Sequence, residues 1–263
     1  MKPDYGIDAP GVRRGMLIAG VVCLFMAGLA IAVATSTVGL VSEITLITAA
    51  VAALAMLYGL GMAAYMTYAS RLGKLRTRER LLDLVATVIP WTGREAVLDV
   101  GCGRGLMLIG AARRLTTGRA TGIDLWRAVD QADNTADAAL ENARCEGVAE
   151  RINVHTGDAR SLPFPDATFD VVLSHWVIHN LPDASDRARA VAEMVRVLRP
   201  EGALVLADIA HYADYRRQLE LLSLQNIIVD TGGAESRIIG ALSGGSFCPH
   251  AIIGRRAALH MEN

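Results

Sequence analysis

The chain has 263 residues, room for one α/β-sized domain and an appendage. Hydrophobic residues make up 52%, and 26 basic side chains nearly balance 27 acidic ones. That balance argues against the basic field of a nucleic-acid binder, and the four cysteines lie in no disulfide framework or metal-ligand spacing.

The apolar excess lies at the N-terminus. Residues 16–35 and 44–69 carry no charged side chain, and Glu43 is the only charge between Arg14 and Arg71. Each run reaches the roughly 20 apolar residues that cross a hydrocarbon core about 30 Å thick. The polar link Thr35-Ser36-Thr37 makes the pair a transmembrane hairpin. Arg13 and Arg14 precede the first run; Arg71, Lys74, Arg76, Arg78 and Arg80 follow the second. Positive flanks mark cytoplasmic ends. The expectation is a multi-pass protein of the cell (inner) membrane, with an anchor over 1–70 and a cytoplasmic domain over 71–263. The Arg71–Arg80 cluster could also touch anionic lipid headgroups. Two other readings stand beside this one. Ala32-Val33-Ala34 resembles a signal cleavage site, although the run is longer than a usual signal core. A soluble hairpin buried in a dimer is the second, although such helices rarely lack a charged face for so long.

Past the hairpin, an amphipathic helix is predicted over 78–89, stopped by Pro90. Strands over 96–100, 120–124, 152–155, 171–174 and 203–208 then alternate with helices over 105–115, 132–146 and 186–198. Such alternation predicts an α/β fold, a parallel sheet covered by helices on both faces. Beyond His211 the pattern is helical to about Leu224, then strand-like over 227–229 and 251–254.

The first strand ends in Val97-Leu98-Asp99-Val100-Gly101-Cys102-Gly103-Arg104-Gly105. Gly101, Gly103 and Gly105 let the chain turn sharply and let a ligand approach the main chain. A dinucleotide fingerprint would need its last glycine at position 106, which is Leu106. Asp124 closes Gly122-Ile123-Asp124, where a carboxylate can accept ribose hydroxyls. Asp158, in Gly157-Asp158-Ala159, can accept from an adenine amino group, and the next N–H can serve a ring nitrogen. Ser174 ends the fourth strand, where the amino-acid half of a cofactor would lie.

With Leu162–Asp170 and Val197-Leu198-Arg199-Pro200-Glu201-Gly202 added, residues from about Glu95 to Asp208 resemble a class I S-adenosylmethionine-dependent methyltransferase. The resemblance is to the broad group that includes quinone and small-molecule methyltransferases. It implies a Rossmann-like, doubly wound, seven-stranded and mostly parallel sheet, completed by a final antiparallel pair. It also implies S-adenosyl-L-methionine as cofactor and no metal. Asp99, Gly101 and Gly103 would then surround the methionine half, Asp124 the ribose, Asp158 and Ala159 the adenine and Ser174 the methionine end, with Gly105 and Leu125 also at the cofactor. Arg104 departs from the small residue often found there, and Glu201 from a frequent glycine.

Methyl transfer from a sulfonium is an in-line displacement that positioning and desolvation can drive. A base is needed only for an acceptor that carries a proton. His175 and His179, just past the fourth strand, are the candidates. Trp176 is a candidate pocket wall, and Trp126 is expected against the adenine edge or the helix beneath it. Tyr212, Tyr215 and Gly244-Gly245-Ser246-Phe247 are a candidate lid. The hairpin favours a small, apolar or lipid-like acceptor, with membrane lipid as the other partner and no nucleic acid. A non-catalytic cofactor-binding scaffold or sensor is the alternative.

Overall fold

The computed structural model describes residues 2–127, 133–245 and 249–258. They form two compact units: residues 6–74, and a second unit of residues 2–5 with 75–127, 133–245 and 249–258.

The first unit is a helical hairpin, α1 (Pro10–Ser36) and α2 (Leu40–Tyr68). At 1.5 Å per residue, α1 is about 40 Å long, more than a hydrocarbon core. The two helices bury small residues: Gly20, Ala27, Ala30 and Ala34 on α1, and Ala49, Ala52, Gly59 and Ala63 on α2. Close backbone approach requires them. A Cβ added to Gly59 would sit 2.9 Å from the Met16 carbonyl oxygen. Large apolar side chains such as Phe25, Leu29, Ile47 and Leu54 point outward and are exposed. At the open end of the hairpin, Lys74 donates from Nζ to the Gly6 carbonyl at 2.7 Å and pairs with Asp8 at 3.2 Å.

A π turn, Ala69–Gly73, follows α2, and α3 (Lys74–Val85) follows the turn. The helix expected over 78–89 therefore starts earlier and stops four residues sooner. Pro90 disfavours helical backbone at Ile89, and the chain leaves through short turns such as Val88 N–H to the Val85 carbonyl.

The second unit is built on seven strands: β1 (Ala96–Val100), β2 (Arg119–Asp124), β3 (Ile152–Thr156), β4 (Phe169–His175), β5 (Leu198–Asp208), β6 (Leu224–Asp230) and β7 (His250–Arg256). Their order is β3-β2-β1-β4-β5-β7-β6. The first five are parallel, and β7 runs antiparallel to both β5 and β6. This is the seven-stranded Rossmann-like sheet with the final antiparallel pair. Alternate residues feed two cores, Val97, Val171 and Val205 in one and Leu98, Val172 and Leu204 in the other. Helices α4 (Leu106–Arg114), α5 (Ala136–Cys145), α6 (Ala184–Val197) and α7 (Tyr212–Leu221) complete the alternation.

Three departures have local causes. The helix expected from residue 132 begins at Ala136, because the Thr135 hydroxyl caps it by accepting from Ala138 N–H; residue 132 itself lies outside the described residues. The fifth strand starts at Leu198, five residues early, with Glu201 at φ 66° and a register shift opposite, between Phe169 and Val171. An eighth helix, α8 (Gly233–Leu242), occupies a stretch without a predicted element, entered through Gly232 and Gly233 at positive φ. Of the expected lid, Ser246 and Phe247 lie outside the described residues.

Candidate active site

Strand β1 delivers its carboxyl end to the glycine loop. Gly101, Gly103 and Gly105 all have positive φ, 72°, 50° and 86°, backbone that side chains disfavour. A Cβ on Gly101 would strike the Val177 side chain, so the loop lies against the segment that follows β4. Gly105 caps α4, and Asp99, from inside β1, accepts the Leu108 N–H of its first turn at 2.8 Å. Asp99 is fully buried. Burial, and then the neighbouring Asp124 charge, push its carboxyl up to about 7 against the Leu108 bond. Cys102 is a small buried filler, its sulfur 2.7 Å from where a Cβ on Gly122 would be.

Asp124, expected at the ribose, ends β2. Its Oδ2 accepts Gly103 N–H at 2.8 Å, and its Oδ1 accepts Trp126 N–H at 2.6 Å and the Asn134 amide at 3.3 Å. The carboxylate therefore holds the glycine loop to the end of β2. Trp126, at φ 57°, donates its indole N–H to Thr156 at the end of β3. Leu125 is 45% exposed.

Asp158, expected at the adenine, is already gripped by Arg160 through Oδ1 at 3.0 Å and Oδ2 at 2.6 Å. Those side-chain bonds hold its carboxyl below the usual range. Arg160 in turn pairs with Asp186 of α6. The sequence motif alone does not single out Arg160, although it directly follows Gly157-Asp158-Ala159.

Ser174 stands beside Val100 in the sheet, and its hydroxyl is buried with no partner among the described residues. The Asn134 side-chain oxygen, next to Asp124, is likewise buried without one. Buried polar atoms in folded proteins are normally satisfied. Two such atoms flanking a glycine cradle and a ribose-type carboxylate fit a polar cofactor at the carboxyl edge of the sheet.

The two histidines differ. His175, the last residue of β4, stacks on Trp176 with ring centroids 4.8 Å apart. His179 lies in a short turn, Ile178–Asn180, and its Nδ1 is 2.5 Å from Asp208 Oδ1. Asp208 ends β5, is 2% exposed, and also accepts the backbone N–H groups of His179 and Ile209 and the Tyr215 hydroxyl. With Asp208 an acceptor at Nδ1, Nε2 is the ring nitrogen of His179 that faces no Asp208 oxygen. Tyr215 is 2% exposed, a core residue that steadies Asp208 rather than part of a lid. Tyr212 stacks on His250 at 4.0 Å. Asp208 went unassigned in the sequence reading, yet it carries the signal that marked Asp124 and Asp158, an acid ending an apolar strand.

The sheet is the Rossmann-like sheet of class I methyltransferase folds, and the cradle at its carboxyl edge fits S-adenosylmethionine. A family model described as "Methyltransferase domain" matches residues 98–206. A 27-O-demethylrifamycin SV methyltransferase of Amycolatopsis mediterranei (strain S699) is 34% identical over 132 residues, 49% of this chain and 44% of that protein. A demethylmenaquinone methyltransferase of Symbiobacterium thermophilum is 31% identical over 115 residues, 43% of this chain and 42% of that protein. The matches thus span less than half the length of these relatives. Among solved structures, the [4+2]-cyclase SpnF superposes with TM-score 0.53 at 20% identity, covering 69% of this chain and 82% of that one. A geranyl diphosphate methyltransferase in complex with GPP and sinefungin gives 0.52 at 19%, covering 68% and 78%. At such identities these likenesses show the fold alone, and a cyclase among them illustrates that fold does not dictate reaction.

Proposed function

We propose that this chain is a membrane-anchored methyltransferase that moves a methyl group from S-adenosylmethionine to a small, apolar or amphiphilic acceptor by in-line displacement. The observation that carries the reading is the oriented His179–Asp208 pair at the same carboxyl edge as the glycine loop. Bound S-adenosylmethionine supplies a methyl group on a sulfonium, already activated for transfer. Asp99, the glycine loop, Asp124, Asn134 and Ser174 hold that donor, with Asp158 toward the adenine. His179 takes the acceptor's proton at Nε2, and Asp208 stabilises the charge that forms on the ring. Tyr215 and the Ile209 N–H keep Asp208 in place.

The hairpin supports the anchor: both helices are long and apolar enough to cross a membrane, and their large side chains face outward. Basic residues at both ends support a cytoplasmic catalytic domain. Relatives named for 27-O-demethylrifamycin SV and demethylmenaquinone support a small organic acceptor.

The test uses the full chain in its own membranes. The protein should stay in the pellet after alkaline carbonate washing, and protease added to inside-out vesicles should digest the domain. Methyl-labelled cofactor should label a solvent-extractable small molecule only when the protein is present. Release into the supernatant would refute the anchor, and label confined to water-soluble acceptors would refute the apolar substrate.

A further inference from the structure

The first residues of the chain bear on Arg104, the position where the glycine loop departs from the usual small residue. Arg104 Nε donates to the Asp4 carbonyl at 2.8 Å, and its guanidinium pairs with the Asp4 carboxylate at 3.2 Å. The same guanidinium donates to the Asp133 carbonyl at 3.2 Å, beside the Asn134 that touches Asp124. Asn142 of α5, 3% exposed, completes the join. Its amide donates to the Asp4 and Arg104 carbonyls, both at 2.9 Å, and its oxygen accepts Asp4 N–H at 2.8 Å. A buried asparagine is costly unless satisfied, and among the described residues this one is satisfied by residue 4 and the loop together.

Tyr5 anchors the segment. It is 6% exposed, lies under the Arg78 guanidinium at 5.8 Å, and its hydroxyl donates to Glu146. Arg78 and Arg113 also bond Glu146, at 3.1 and 2.9 Å. Burial raises the Glu146 carboxyl, but these donors overcome it and hold it below its ordinary range.

We propose that Asp4 and Tyr5 are positioning residues for the cofactor: a strap that grips Arg104 and keeps the glycine loop in its binding shape. Arg104 is then the strap's dock, which gives its departure from the small residue a physical reason. The proposal rests on the cofactor reading of that loop.

Calorimetry and steady-state kinetics on the full chain test it, with S-adenosylmethionine as the probe. Tyr5→Ala and Arg104→Ala should each weaken cofactor affinity roughly tenfold, the scale of a lost charge-assisted contact. Cofactor KM should rise with kcat at saturation unchanged, a split that a merely structural loss does not produce. The double variant should be no worse than either single one, because strap and dock act as a unit. Arg104→Lys should recover part of the affinity. Singles that bind like wild type, or losses that add in the double variant, would overturn the strap. Wild type that binds no cofactor would overturn the cofactor reading with it. If Tyr5→Ala fails to fold, Arg104→Ala and Arg104→Lys decide alone.

Discussion

The ends of β1 and β2 differ in kind from the ends of β4 and β5. In the first region, glycines at positive φ, backbone N–H groups and one shared carboxylate, Asp124, set the geometry. In the second, a side-chain chain does so: Tyr215 to Asp208 to His179. Backbone cradles suit a donor that is the same in every turnover. Side-chain networks suit an acceptor whose proton must be removed, because a ring nitrogen can be aimed and charged.

Replacing His179 breaks the second region without touching the first. His179→Ala should lower kcat by roughly 10²–10⁴, the usual range for a general base, while calorimetry finds cofactor affinity within twofold of wild type. Equal loss of affinity would move His179 to the donor side. The converse variant, Asp124→Ala, should weaken cofactor binding by about 1–3 kcal/mol, and saturating cofactor should restore much of the turnover. Unchanged affinity would remove Asp124 from the site.

Asp99 sharpens the contrast through pH. Its native pKa, raised to about 7 first by burial, exceeds the unfolded value, so the neutral form favours the fold. That contribution is complete below about pH 4 and is lost as pH rises through 7. Asp99→Asn keeps an acceptor for Leu108 N–H. It should therefore stabilise the free protein by on the order of 2–4 kcal/mol at pH 8, with the gain fading toward pH 4. Melting curves at the two pH values measure it, and an equal gain at both would refute the assignment. The smallest effect belongs to Arg160→Ala, where a half-exposed pair restrains Asp158. Cofactor affinity there should change by less than about threefold.

The proposed donor region stands out in the sequence because glycine spacing and strand-ending acids are local signals. Leu106 already disfavoured a dinucleotide, and Asp124 and Ser174 sit where the strand pattern put them. What the sequence concealed is long-range pairing. The partners of Asp208 are 29 residues upstream, at His179, and 7 downstream, at Tyr215. Asp4 meets Arg104 across 100 residues. No periodicity announces such contacts, since either partner alone reads as an ordinary polar residue. The helix α8 escaped for another reason: its glycines at both ends and short length look like a connecting loop.

Transfer of a labelled methyl group separates an enzyme from a cofactor-binding scaffold. Membranes carrying wild type, His179→Ala or Asp124→Ala receive methyl-labelled S-adenosylmethionine, and both bound cofactor and labelled small molecules are measured. Wild type should bind and transfer, His179→Ala should bind without transfer, and Asp124→Ala should bind weakly. Wild type that binds the cofactor tightly yet labels nothing above membranes lacking the protein would contradict methyl transfer, and would leave a cofactor-binding scaffold in place of an enzyme.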